Sequence, residues 1–192
     1  MRIVGGRLRG LKLAEVGEGD PSAHLRPTTD RVREAMFNLI ENSAGIPLDG
    51  ARVLDLFAGT GALGLEALSR GAARVAFVDD GAAARALLRA NVEKARAMGV
   101  TDIWRRDATN LGPNRGPGYD VVFLDPPYGQ RLGEAALGSA ITGGWLAPGA
   151  LIAWEEDTAP VSPPGMAQID QRRYGGTLVT LLRAAGASGG NI

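Results

Sequence analysis

Apolar residues fall along this chain in short runs that do not alternate with polar ones, and segments of helical spacing lie between them. Runs near 52–57, 75–78, 102–106, 119–124 and 150–155 read as strands buried on both faces. Segments near 63–69, 82–98 and 132–142 read as helices. In the second of these, Ala84, Leu88, Val92 and Ala95 share one face. Such alternation predicts a parallel sheet covered on both sides. The end of the chain departs from it. Gln168–Tyr174 and Thr177–Leu182 flank Gly175-Gly176, a hairpin signal. The expected class is α/β: a mostly parallel seven-stranded sheet, helices on both faces and an antiparallel C-terminal hairpin. Residues 158–167, with Pro160, Pro163 and Pro164, read as a loop.

Before the first strand the pattern is different. Residues 1–13 mix short apolar pieces (Ile3-Val4, Leu11–Leu13) with Gly5, Gly6 and Gly10, which predicts a small hairpin or loop. Residues 14–25 are polar and read as a linker. Pro27 disfavours helix at Arg26, and Thr28 or Thr29 can cap a helix starting just after them. Val32, Ala35, Met36, Leu39 and Ile40 then recur at helical spacing, and that helix ends near Asn42–Gly45. The expected division is residues 1–25 as an arginine-rich extension, 26–183 as the main domain and 184–192 as a disordered tail.

Composition narrows the function. At 192 residues the chain suits one domain. It has no cysteine, which removes thiolate nucleophiles, disulfides and cysteine metal sites, and no metal is expected. The apolar runs are too short for a membrane span, and MRIVGGRLRG has no apolar signal region; the expectation is a cytoplasmic protein, monomeric and without membrane association. Lysines and arginines balance acids, 21 against 21. Their distribution is uneven. Arg2, Arg7, Arg9 and Lys12 crowd the first thirteen residues with no acid among them, and Arg26, Arg31 and Arg33 come after. A basic face on a neutral protein points to nucleic acid. The single histidine, His24, has no partner motif and reads as solvated; Trp104, Trp145 and Trp154 read as core.

The candidate chemistry starts at Val53–Gly64, VLDLFAGTGALG. A strand breaks at Gly59 and Gly61 and resumes as a helix. With Gly64 these satisfy G-x-G-x-x-G, and Asp79 ends a second apolar run twenty residues after Gly59. This is the dinucleotide fingerprint in its strand–turn–helix setting. Asp55, however, would repel a pyrophosphate and suits a cationic ligand. Further on, Asp125-Pro126-Pro127-Tyr128 ends another apolar strand. Together these point to S-adenosylmethionine and methyl transfer to a planar amine. Such an amine is a poor nucleophile, because its lone pair is delocalised into the ring. Asp125 and the Pro126 carbonyl can accept its two N–H groups, and Tyr128 offers a face for base stacking. The expected cofactor set is Asp55, Phe57, Gly59, Thr60, Gly61, Asp79, Asp80, Asp107 and Ala108, with Asp79 preferred over Asp80 for the ribose. Asp107 is read as the end of the third strand, where it either accepts from the adenine amine or simply caps the strand.

Several segments resemble the RsmD-type bacterial 16S rRNA guanine-N2 methyltransferases. They are Arg2-Ile3-Val4-Gly5-Gly6, Arg9-Gly10, the run Arg26–Glu34 (RPTTDRVRE), Asp55–Arg70 (DLFAGTGALGLEALSR), Asp125–Tyr128 and Tyr174-Gly175-Gly176-Thr177. The likeness runs from residue 2 to about residue 183. It implies a Rossmann-like fold and transfer of a methyl group from S-adenosylmethionine to N2 of a guanine, conventionally position 966 of 16S rRNA, during small-subunit assembly. It places Asp55, Gly59, Gly61 and Asp79 at the cofactor and Asp125 and Tyr128 at the base. Arg2, Arg7, Arg9, Lys12, Arg26, Arg31 and Arg33 are the expected RNA contacts. One departure is Gly81, where family members often carry a second acid. Three other readings stay open on the residues alone: adenine N6 or a protein amide as acceptor, an NAD-dependent oxidoreductase, and an RNA-binding assembly factor with a vestigial pocket.

Overall fold

A computed structural model of the chain describes residues 1–15, 29–43, 45 and 48–186. His24, Arg26, most of the expected linker and the last six residues lie outside these. Seven strands form one sheet: β1 (Arg52–Leu56), β2 (Arg74–Val78), β3 (Thr101–Trp104), β4 (Tyr119–Leu124), β5 (Leu146–Glu156), β6 (Met166–Tyr174) and β7 (Thr177–Ala184), in the order β3-β2-β1-β4-β5-β7-β6. The first five pair in parallel; β7 runs antiparallel between β5 and β6. Among the described residues the accompanying helices are α1 (Asp30–Ser43), α2 (Ala62–Ser69), α3 (Ala82–Lys94) and α4 (Leu132–Thr142). None of them is long and apolar enough to cross a membrane. The expected seven-stranded architecture is the observed one.

Period-two alternation sorts each strand's residues between two cores. Val53, Val75, Phe77, Val121 and Phe123 face α1, α2 and α3. Leu54, Leu56, Ala76, Val78, Val122 and Leu124 face the α4 side, with Trp145 and Trp154. Several expected boundaries shift: β5 starts at Leu146, four residues early, β6 starts at Met166 inside the expected loop, and β7 runs on to Ala184. Helix α3 ends at Lys94 because Arg96 takes φ 53° and the Ala97 N–H reaches back to the Val92 carbonyl at 3.0 Å, closing a Schellman-type end. Strand β3 stops at Trp104, so Asp107 lies three residues beyond its end.

The N-terminal segment forms the expected hairpin: Arg2 bridges Lys12 in antiparallel sense around a 3-10 turn at Gly6–Leu8. It is built into the core. Ile3 and Leu13 are buried in the same cluster as α2 and α3. Glu66, fully buried on α2, accepts the backbone N–H groups of Val4 and Gly5, each at 2.8 Å, and the Arg70 guanidinium at 2.9 Å; the Arg33 Nε lies 3.7 Å away. The Ser69 hydroxyl accepts from the Leu8 N–H at 2.8 Å and donates to the Gly5 carbonyl at 2.5 Å.

Removing the Glu66 carboxylate leaves two backbone donors and the Arg33 guanidinium buried without it. Glu66→Ala is expected to cost about 3–5 kcal/mol of stability, as for other broken buried ion pairs. Glu66→Gln, which keeps an acceptor for the hairpin, should cost clearly less. Urea unfolding of the two variants beside the parent chain checks both.

Candidate active site

The sheet order places a crevice. The chain winds from β1 outward through β2 to β3, then returns to place β4 on the other side of β1. The carboxyl ends of β1, β2 and β4 therefore meet at a topological switch point, the usual ligand position in an open α/β sheet. β1 lies in register between its neighbours, with Asp55 opposite Phe77 on one side and Phe123 on the other.

On one side of β1 stands the glycine turn. Phe57 (φ 61°), Gly59 (φ 55°) and Gly61 (φ 80°) all take left-handed conformations. For Phe57 this stores roughly 1–3 kcal/mol of strain, of the kind concentrated at ligand clamps. A Cβ at Gly64 would collide with the Phe77 ring and with Val75, so this glycine lets α2 pack directly on β2. Asp79, just past β2, accepts the Gly59 N–H and the Gly81 N–H, each at 2.8 Å, one on each oxygen. The carboxylate is thus held rigid while each oxygen keeps room for another donor. Gly81, which lacks the second acid of the resembled family, contributes this backbone donor instead. Asp80 next to it is exposed.

Asp55 is buried and accepts the Gly64 N–H at 2.9 Å. Burial pushes its carboxyl up to about 8; the Gly64 bond opposes this and the Asp79 charge adds to it. Burial also raises Asp79, against the pull of its two backbone donors. Among the described residues neither acid forms an ion pair. A pocket whose acids are reluctant to ionise is suited to a ligand that brings positive charge and hydroxyl donors. A pyrophosphate would bring the wrong sign.

Three other members of the expected set, Asp107, Ala108 and Thr60, have partners or places of their own. The Asp107 carboxylate caps its own 3-10 turn, taking the Thr109 N–H at 2.8 Å and the Thr109 hydroxyl at 2.7 Å on one oxygen. Ala108 is buried in that turn. Thr60 sits in the glycine turn, but its hydroxyl contacts the Met1 sulfur at 3.7 Å and its carbonyl accepts from Asn91 at 2.9 Å. Sequence reasoning missed Asn91. Fully buried on α3, it also exchanges two bonds with Ala14, at 2.7 and 3.1 Å, and so joins the N-terminal segment to the glycine turn. A polar residue on the apolar face of α3, one position before Val92, was the available signal.

Across β1 stands the Asp125–Tyr128 segment. Asp125 directly follows β4 and is half-buried, and Pro126 is buried. The Tyr128 hydroxyl donates to Glu155 at 3.1 Å and lies 3.3 Å from the Thr177 hydroxyl. Burial raises the Tyr128 phenol, with the Glu155 and Asp125 charges acting in the same direction and the Thr177 bond against it. The phenol stays protonated and acts as an anchor that fixes the ring. Glu155, on β5, and Thr177, at the start of β7, were both outside the expected set. They bring the C-terminal hairpin into the site.

The expected nucleic-acid contacts divide. Arg2, Arg7, Arg9, Lys12 and Arg31 are exposed. Arg2, Arg9 and Arg31, with Asp30 and Glu34, line a groove of about 330 Å³ between the hairpin and α1. Arg33 is a correction. It is fully buried, and its guanidinium donates to the Arg2 carbonyl and to Asp30, the latter at 2.7 Å. Its helical position turns it inward, toward Glu66, so it holds the hairpin and cannot meet a phosphate in solvent.

Comparison with known proteins agrees with this fold. The profile of the family described as "Conserved hypothetical protein 95" matches residues 1–183. The chain belongs to this family. It is 40% identical over 157 residues to "Ribosomal RNA small subunit methyltransferase D" of Escherichia coli K12, covering 82% of this chain and 75% of that one. It is 38% identical over 140 residues to "Putative rRNA methyltransferase YlbH" of Bacillus subtilis, covering 71% and 72%. The solved structure of "Putative methyltransferase yhhF" from Escherichia coli superposes with a TM-score of 0.82 at 35% identity, covering 97% of this chain and 98% of that one.

Two measurements probe the site. Because the Asp55 carboxyl is raised from 3.8 to about 8 on folding, its contribution to stability is complete below 3.8 and is lost as pH rises toward 8. Asp55→Asn, neutral throughout, should therefore gain on the parent chain between pH 4 and pH 8, read as midpoint differences in denaturant titrations. Tyr128→Phe keeps the ring but removes the phenol's hydrogen bonds to Glu155 and Thr177. A stability loss of about 1–3 kcal/mol is expected by calorimetry, with the fold retained.

Proposed function

We propose that this protein transfers a methyl group from S-adenosylmethionine to the exocyclic N2 amine of a guanine in 16S rRNA, the guanine conventionally numbered 966, while the small ribosomal subunit is being assembled. The observation that carries this reading is the juxtaposition across β1: the glycine turn with Asp79 on one side, Asp125-Pro126-Pro127-Tyr128 on the other. The names borne by the relatives, "Ribosomal RNA small subunit methyltransferase D" in E. coli and "Putative rRNA methyltransferase YlbH" in B. subtilis, support the acceptor class.

The residues present fit the cofactor. Asp79, locked by Gly59 and Gly81, is preorganised to accept the two ribose hydroxyls. Asp55 is a buried acid without a cationic partner among the described residues, which suits the positively charged methionine end. When bound, S-adenosylmethionine supplies an electrophilic methyl group on a sulfonium leaving group. The protein's own work is on the acceptor. Asp125 and the Pro126 carbonyl take the two N–H groups of the amine. This draws the nitrogen toward tetrahedral geometry and aims its lone pair toward the cofactor side of the crevice. The two prolines hold that backbone against rotation, and a misplacement of about 1 Å at this point can cost roughly a hundredfold in rate. Tyr128, pinned by Glu155 and Thr177, presents its ring to a base removed from its stack. The proton released from nitrogen passes to Asp125 or to water. The exposed arginines of the hairpin and α1 supply phosphate contacts around the target.

The decisive test is to incubate the protein with labelled S-adenosylmethionine and small-subunit particles lacking the modification, then map the labelled nucleotide. Label on the guanine N2 is expected; label on adenine or on protein, or none, defeats the reading. In the same assay Asp125→Ala should lose at least about a hundredfold in rate while binding S-adenosylhomocysteine as tightly as the parent chain.

A further inference from the structure

A second cationic surface lies away from the hairpin, where β3 and the segment 105–118 meet the starts of β1 and β4. Here a groove of about 480 Å³ is lined by Arg52, Arg106, Arg115, Trp104, Tyr119 and Asp102, among others. Its floor is aromatic: Trp104 packs edge-on against Trp145 at 5.1 Å, and Tyr119 stacks on Trp145 at 6.1 Å. Two guanidiniums lie on this floor. Arg106 sits 5.2 Å from the Trp104 ring centroid and 5.8 Å from that of Trp145; Arg52 sits 5.2 Å from that of Tyr119.

The wall is firm. The Asn114 amide donates to the Gly116, Pro117 and Gly144 carbonyls at 3.0, 3.1 and 3.2 Å, and the Trp145 indole donates to the Gly112 carbonyl at 2.8 Å. The groove's acid is already answered, because Asp102 takes two bonds from Arg74, at 3.0 and 3.1 Å. The remaining charge of the lining residues is positive and entirely arginine, in a protein whose formal charge is zero.

The Arg106 guanidinium donates from Nη1 to the Leu111 carbonyl at 2.6 Å, which fixes it over the rings and leaves its other N–H groups to meet a phosphate. Stacking also fixes the side chain beforehand, so less rotamer entropy is lost when a phosphate binds. One lining residue, Trp104, reaches toward the crevice, its carbonyl accepting the Asp79 N–H at 3.2 Å, while Arg52 and Tyr119 lie at the opposite ends of their strands. We propose that this arginine–aromatic groove is a second RNA-binding surface, which holds the sugar–phosphate backbone of the substrate at a distance from the target nucleotide. The proposal rests on the methyltransferase reading for the identity of the RNA.

The test uses full-length protein carrying Arg106→Gln and Arg115→Gln together, and Arg115→Glu alone as a variant of an exposed residue whose fold is not in question. Affinity for a 16S rRNA fragment is measured by filter binding across a salt series, with methyl transfer to particles in parallel. For the double variant, the slope of log K against log salt should fall by about 1 for each arginine removed, and KM should rise about tenfold, with kcat and S-adenosylhomocysteine affinity unchanged. Arg115→Glu should weaken fragment binding in the same direction. Parent-like slope and KM in both variants overturn the proposal. A raised KM for protein-bearing particles with unchanged affinity for the naked fragment also overturns it, since the groove would then meet an acidic protein. Fragment affinity is read without catalysis, so absent or misplaced methyl transfer would defeat the proposed function while leaving this result intact.

Discussion

A carboxylate taken out of water must be met by donors, and this protein places four such acids around or behind one crevice. Asp79 is met by two backbone N–H groups, Asp55 by one, Glu66 by two backbone N–H groups and a guanidinium, and Glu155 by a phenol. Each match joins separate elements of the fold. Asp79 ties the end of β2 to the turn after β1. Asp55 ties β1 to the first turn of α2. Glu66 ties α2 to the N-terminal hairpin, and Glu155 ties β5 to the loop after β4. The crevice keeps its shape because opening it would leave these acids unpaired in a poorly solvated place.

The same matching makes the N-terminal hairpin part of the catalytic domain's core. Ile3 and Leu13 are buried with α2 and α3, and Asn91 holds both Ala14 and the Thr60 carbonyl of the glycine turn. An arm that carries exposed arginines is thereby bonded, through Asn91, to the glycine turn. Charge substitutions at the exposed Arg7 or Arg9 are the clean way to examine the proposed phosphate contacts, since deleting residues 1–13 would open the core.

On the acceptor side, the C-terminal hairpin does more than close the sheet. By entering antiparallel between β5 and β6, β7 brings the Thr177 hydroxyl beside Tyr128. The ring is then gripped from two strands at its hydroxyl end.

The sequence alone determined the layered α/β architecture, because unalternating apolar runs have few ways to bury both faces, and glycines and prolines mark their ends. It also marked Asp55, Asp79 and Asp125 as the acids of interest, since each sits in or at the end of such a run, close to a glycine or proline break. Tertiary structure decided how buried polar residues are partnered. Arg33 and the neighbouring Arg31 read alike as basic residues of an amphipathic helix, yet a helical turn of about 100° per residue sends one into the core toward Glu66 and leaves the other in solvent. Asn91, Glu155 and Thr177 lie 77, 27 and 49 residues from the partners that explain them, and no local pattern encodes a hydrogen bond across such a distance. The arginine–aromatic groove is of the same kind: its residues come from separate stretches of chain, brought together only when the sheet is assembled.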